Sequence, residues 1–241
     1  PRWFGQNSTP NGSLNPALGL TGIRLCLAEP VMFRTQMRAI LRAATHGPVR
    51  MMWPMITSIS EVRQCLIHLD TAQRQLTERG ETFGPVSIGC MIEIPSAAMT
   101  VGSILKLVDF VSIGTNDLIQ YLLSVDRGDD SVSHLYQPGH PAVLKTLQHI
   151  IRTANRMEKG VSICGEMAGD TVFTRLLLGM GLRRFSMNPN NLLSVKNIIL
   201  HSHTGHLEND AAKILRCEDP EKAEKLIKIL NQSEQAESQA V

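Results

Sequence analysis

The stretch "DFVSIGTNDLIQYLLSVDR", Asp109–Arg127, opens as an apolar run, breaks into the polar triplet Thr115-Asn116-Asp117, and reaches Arg127 ten residues after Asp117. The run "FVSIGT" (110–115) reads as a strand covered on both faces, because a strand with one wet face would alternate apolar and polar residues. A buried strand that stops on an amide and a carboxylate does one of two things. Either those groups cap the following helix, "LIQYLLSV", or the strand delivers them into a site.

Five further short apolar runs stand on either side: "GIRLCL" (22–27), "VRMMWPM" (49–55), "VSIGCMI" (86–92), "VSICGE" (161–166) and "RFSMN" (184–188). They alternate with segments of helical periodicity, clearest in "EPVMFRTQMRAILRAATH", "SISEVRQCLIHLDTAQRQLTER", "HPAVLKTLQHIIRTANRMEK" and "DPEKAEKLIKILNQ". Strand and helix in alternation imply an α/β fold with a parallel sheet, either open and doubly wound or closed as a (β/α)8 TIM-type barrel. Glu93, Asn116-Asp117, Cys164-Gly165-Glu166 and Asn188 each follow a different run, and a barrel gathers its chemistry from several strand ends in that way. The expected fold is therefore a TIM-type barrel, incomplete at its N-terminus with about six of eight strands. Residues 1–21, rich in Pro, Gly, Asn and Ser, read as a loop, residues 22–234 as the barrel portion and residues 235–241 as a disordered tail.

The 241 residues, 43% of them hydrophobic, suffice for one sizeable core. A formal net charge of +2 without a basic stripe argues against a nucleic-acid partner. The five cysteines are widely spaced with no Cys-x-x-Cys pair, which points to a reducing, cytoplasmic compartment rather than a disulfide framework. No uncharged apolar run is long enough to span a membrane, and no signal pattern opens the chain. A first residue that is Pro1 rather than methionine suggests a processed product or a fragment.

Glu93 and Asp117 end consecutive parallel strands and so face one cavity, where two like charges need a cation between them. Magnesium suits them: it takes one or two carboxylates and fills its other positions with water and substrate oxygens, whereas zinc prefers His or Cys. Arg127 offers a planar fork for a phosphate or carboxylate, and Asn116 a neutral donor. Taken with Glu93 and Arg127, the pair Asn116-Asp117 reads as a site more readily than as a helix cap. Cys164 at a strand end is either a buried core thiol or a proton donor to a bound carbanion or enolate. Cys90 and the methionines of "VRMMWPM" read as core, although Arg50 among them can face the cavity. His134 and His140 fall in a turn-rich loop, and His201, His203 and His206 at a solvated helix end.

With these residues in view, the opening stretch resembles the signature of phosphoenolpyruvate-utilizing enzymes, the group that contains Enzyme I of the phosphotransferase system and pyruvate phosphate dikinase. The likeness extends through "MIEIPSAA", "HLYQPGHPAVL" and "CGEMAGD" and covers most of residues 15–202. "LRAILRAATHGPVRMMWPM" and "DRGDDSVSHLYQP" are closer to the Enzyme I group, and "SMNPNNLLSVK" is similar to its nitrogen-related branch. The resemblance implies that Glu93 and Asp117 ligate Mg2+, that Asn116, Arg127 and Arg24 bind phosphoenolpyruvate, and that Cys164 protonates the enolate of pyruvate. It further implies phosphoryl transfer to a histidine on another domain, a histidine-phosphorylatable carrier protein as the next partner, and a homodimer.

Three departures accompany the likeness. Nothing corresponds to the family's domain with the phosphoryl-accepting histidine, nor to its first two barrel strands with their arginines and "GGDK" loop. The family's "GWRxIR" reads "GLTGIR" here, so Thr21 replaces an arginine while Arg24 remains. Each lost charge-assisted contact is worth about 1.5–3 kcal/mol, so this chain alone is expected not to turn over. Two alternatives follow: a non-catalytic phosphoenolpyruvate-binding or dimerisation module, and a lyase or aldolase of the same barrel type that stabilises an enolate with magnesium.

Overall fold

Four strands, β1 (Val49–Trp53), β2 (Val86–Ile92), β3 (Phe110–Gly114) and β4 (Gly160–Cys164), form one parallel sheet in the order β1-β2-β3-β4 in the computed structural model, which describes residues 16–238. Each strand lies beside the next one in sequence, as in the wall of a (β/α)8 barrel. A doubly wound sheet would reverse its order at a switch point.

Two of the six expected strands differ. Residues 22–27 are not a strand, because Ile23–Ala28 is a helix that buries only Ile23. A six-residue apolar run does not reveal its period, and Leu, Arg and Ala are good helix formers. The run 184–188 contributes one parallel bridge, Ile163 to Phe185, held by Ile163 N–H to Arg184 O at 3.1 Å and Ser186 N–H to Ile163 O at 2.9 Å. Phe185 thus continues the sheet beyond β4 in the same rotational order. The run 49–55 stops early at Trp53, because Pro54 has no N–H and Met55 turns to φ 57°.

The four helices expected from periodicity are present as Pro30–Ala43, Ile59–Glu78, Pro141–Arg156 and Pro220–Ser238, three of them opening on Pro in the first turn. Ser58 and Glu61 form a reciprocal capping box on the second. The last runs through residues 235–238 of the expected tail, whose Glu, Gln and Ala residues extend a helix already begun. Of the expected N-terminal loop, Pro16–Leu18 is a single 3-10 turn, and residues 1–15 and 239–241 lie outside the described residues. Helices Thr171–Gly179 and Thr204–Leu215 carry no cue that singled them out beforehand. No helix among the described residues is long and apolar enough to cross a membrane.

Period-two alternation sorts the strand side chains. Met51, Trp53, Ile88, Cys90, Ile92, Val111, Ile113, Val161 and Ile163 join the buried core under the helices. The opposite face carries Gly89, Met91, Phe110, Ser112, Gly114, Gly160 and Cys164, which touch one another across the strands. Glycine is required on this face by close approach: a Cβ at Gly89 would lie 2.4 Å from the Phe110 ring. Gly89→Ala is expected to cost about 1–3 kcal/mol through overpacking, measured as a lower midpoint in urea unfolding; an unchanged midpoint would show that the ring moves aside freely.

Candidate active site

Every expected site residue at a strand end falls at the C-terminal edge of the sheet. Glu93 directly follows β2, and Asp117 lies in the first turn of the helix Thr115–Leu123 that follows β3. The pairing of Ile92 with Ile113 brings Glu93 level with Gly114, where a Cβ would stand 2.8 Å from Glu93 Oε2. Gly114 therefore makes room for the carboxylate, which is only 6% exposed. Asp117 is the neighbouring charge that acts on it.

The Met55 N–H donates to Glu93 Oε1 at 2.6 Å. Met55 is at φ 57°, a left-handed conformation unusual for a residue with a side chain, and this turn aims its N–H at the carboxylate. The Met55 side chain fills the space over Gly22, where a Cβ would be 2.6 Å from Met55 Cγ. Gly22 is itself at φ 56°. Burial pushes the Glu93 carboxyl up to about 7; the Met55 N–H opposes that shift, and the Asp117 charge reinforces it.

Asn116 accepts the Glu166 N–H on Oδ1 at 2.9 Å, which leaves its amide NH2 as the group free to meet a ligand. Gly165, at φ 89°, permits this contact, since a Cβ there would meet Thr115 Oγ1 at 2.4 Å and Asn116 Oδ1 at 2.7 Å. Thr115 donates to the Cys164 carbonyl at 2.7 Å, tying the β3 end to the β4 end. Asn116, Cys164, Gly165, Glu166, Ser186 and Asn188 line a cavity of about 440 Å3.

Arg127 pairs with Glu166 at 3.0 Å. Both side chains are substantially exposed, so the pair is worth at most about 1 kcal/mol and an anionic ligand can replace the Glu166 carboxylate. The Cys164 thiol is half-buried, with Met91 Sδ at 3.5 Å and the Ile113 carbonyl at 3.4 Å as acceptors, and Ser112 Oγ donates to it at 3.6 Å. Burial raises its pKa, the Ser112 hydroxyl opposes this, and the Glu93 and Asp117 charges add to the rise, so the thiol keeps its proton at neutral pH. Arg24 is turned toward main-chain carbonyls, donating to Leu18 O at 2.8 Å and Gly19 O at 3.3 Å. Its charge opposes the upward shift that burial, Asp117 and Glu93 impose on Tyr121.

Sequence reasoning did not pick out Met55, whose contribution is a main-chain N–H, nor Tyr121 and Tyr136. Burial pushes Tyr136 up to about 12, with Glu166 raising, Arg127 lowering and Asp117 raising it, which sets it among the site charges. The histidines stand apart. His140 caps the helix Pro141–Arg156 through Nδ1, and His203 and His206 flank the start of the helix Thr204–Leu215. Among the described residues no cluster of three or more His, Cys, Asp or Glu side chains could hold a metal.

A family model described as "PEP-utilising enzyme, PEP-binding domain" matches residues 8–204. This chain belongs to that family. A phosphoenolpyruvate-protein phosphotransferase of Cupriavidus necator is 54% identical over 210 residues, covering 87% of this chain and 36% of the relative. One of Bacillus subtilis is 41% identical over 216 residues, covering 89% of this chain and 38% of the relative. The chain thus spans little more than a third of the length of these relatives. Among solved structures, a citrate lyase from Burkholderia xenovorans LB400 superposes with TM-score 0.50 at 16% identity, covering 84% of this chain and 69% of that one, a likeness of fold alone. The fold of the family, an α/β TIM-type barrel, accounts for the strand order seen here.

The two carboxylates fit the cation that the family implies. They are adjacent, Glu93 buried and Asp117 part-buried, and made of hard oxygen donors, and two is a number of carboxylates that magnesium accepts. The metal-free protein has a pH signature. Between the ordinary carboxyl value and about 7, the folded state retains a proton on Glu93 that the unfolded chain has released. Stability therefore falls as pH rises through that window and is level above it. With EDTA present, the difference in urea stability between Glu93→Gln and the unsubstituted protein should grow in favour of the variant by roughly 2–3 kcal/mol from pH 4.5 to 7.5. Parallel pH profiles for the two proteins would contradict the assignment.

Proposed function

We propose that residues 22–234 are the phosphoenolpyruvate-binding barrel portion of a phosphotransferase that passes the phosphoryl group of phosphoenolpyruvate to a histidine on another domain and releases pyruvate. The observation that carries this reading is the buried Glu93 carboxylate beside that of Asp117 at the C-terminal strand ends, with Asn116, Arg127 and Cys164 around them. Glu93 and Asp117 would hold Mg2+, which when bound would supply positive charge to offset the anionic substrate. Asn116 donates from its free NH2, and Arg127 exchanges the Glu166 carboxylate for the phosphate. As the bond from phosphorus to the enol oxygen breaks and one to the histidine nitrogen forms, Cys164 delivers its proton to the methylene carbon of the enolate.

Arg24 sits at the rim as a supporting cation, and Thr21 in place of an arginine weakens the grip on the anion. The same reading gives the protein a histidine-phosphorylatable carrier as its next partner, a homodimeric assembly and a cytoplasmic location. All five cysteines are free, which agrees with a reducing compartment.

Calorimetric titration of phosphoenolpyruvate should show binding that requires magnesium and weakens at least about tenfold in Glu93→Gln. Binding indifferent to both would remove the proposal. A partial reaction that needs no phosphoryl acceptor tests Cys164 separately. With magnesium present, exchange of pyruvate methyl protons for solvent deuterium, followed by NMR, should slow about 100-fold or more in Cys164→Ala while phosphoenolpyruvate affinity stays within about threefold. Equal exchange rates would assign the proton to another group.

A further inference from the structure

A second cavity, of about 380 Å3, opens at the other end of the strands, and Arg50, Lys159, Arg183 and Arg184 line it with the acids Asp109 and Glu158. β1, β3 and β4 are each five residues long, so this cavity lies roughly 16 Å along the strands from the Glu93–Asp117 pair. Among the described residues none of the four cations has a carboxylate within 4.0 Å. Asp109 Oδ2 accepts the Ile88 N–H at 2.8 Å, which ties that carboxylate to the β2 main chain.

Packing holds two of these cations over one floor. The Arg50 guanidinium carbon lies 4.6 Å from the Phe110 ring centroid. A Cβ at Gly160 would meet Arg184 Nη1 at 2.8 Å and Phe110 Cβ at 3.1 Å. The absence of a side chain at Gly160 thus admits the Arg184 guanidinium beside the ring on which Arg50 stacks. Arg183 spends Nη1 on the carbonyls of Leu178 and Leu182, at 2.9 and 2.8 Å, which fixes its position at the rim.

Four like charges kept together by packing, with only two carboxylates in the cavity and neither paired to them, favour an anion among them. Planar guanidinium forks match phosphate oxygens better than a single carboxylate. We propose that this cavity is a binding site for a small phosphoanion, separate from the family's site at the opposite strand ends and independent of the proposed function.

The test is calorimetric titration of inorganic pyrophosphate in EDTA into the unsubstituted protein and into Arg184→Glu, Lys159→Gln and Arg127→Ala, each first checked for an unchanged cooperative unfolding transition. One-to-one binding is expected, weakened at least about tenfold in Arg184→Glu, several-fold in Lys159→Gln, and unaltered in Arg127→Ala. If Arg184→Glu does not fold, weakening in Lys159→Gln with none in Arg127→Ala supports the site. Binding that survives in every folded cavity variant, binding lost in Arg127→Ala, or no binding to the unsubstituted protein overturns it.

Discussion

A carboxylate held where water barely reaches it, with a second carboxylate beside it, governs this molecule. Placing Glu93 there requires a glycine opposite on β3, a main-chain N–H from the turn after β1, and a strand register that sets it level with Gly114, just before the helix that carries Asp117. Each requirement conflicts with an easy local choice. Gly114 forgoes a side chain to pack, and Met55 adopts a left-handed backbone that its own side chain disfavours. The rest of the α/β framework over-determines these positions, which is how an energetically poor local arrangement persists in a stable fold.

The site divides into a rigid part and an exchangeable part. Glu93 and Cys164 sit on or next to strands, packed against Met91, Ser112 and Gly114, and Asp117 lies in the turn just after β3. Arg127 and Glu166 are exposed and joined by an ion pair in high dielectric, where partners trade at little cost. Asn116 bridges the two parts, because its side-chain oxygen is fixed by the Glu166 main chain while its nitrogen is not. Glu93, Asp117 and Cys164 are buried or part-buried, whereas Arg127 and Glu166 are solvated.

Much of this was legible in the residues. Polar groups after "FVSIGT", "VSIGCMI" and "VSIC" announced a shared edge, because strands covered on both faces leave their ends as the natural outlets for polarity. What escaped detection was carried by main chain or by context. The N–H of Met55 has no sequence signature, since any residue but proline offers one, and only the tertiary turn gives it a target. The run "GIRLCL" is compatible with either strand or helix over six residues, and the Gly22 turn and the burial of Ile23 alone decided for helix. "RFSMN" has strand composition, but only Phe185 reaches β4 to pair. The hydrogen bonds of Arg24 to the carbonyls of Leu18 and Gly19 are ones that no side-chain pattern encodes.

The contact between Gly22 and Met55 carries an evolutionary consequence. Position 22 must lack a Cβ for two separate reasons, its own φ of 56° and the Met55 side chain that occupies the space above it. Position 55 can change its side chain provided that the backbone keeps its turn, because Glu93 reads only the N–H. The two sites therefore drift under unequal freedom: a natural lineage can explore the unbranched residues at 55 while 22 stays fixed. The residue under the tighter selection is the one that never touches the carboxylate.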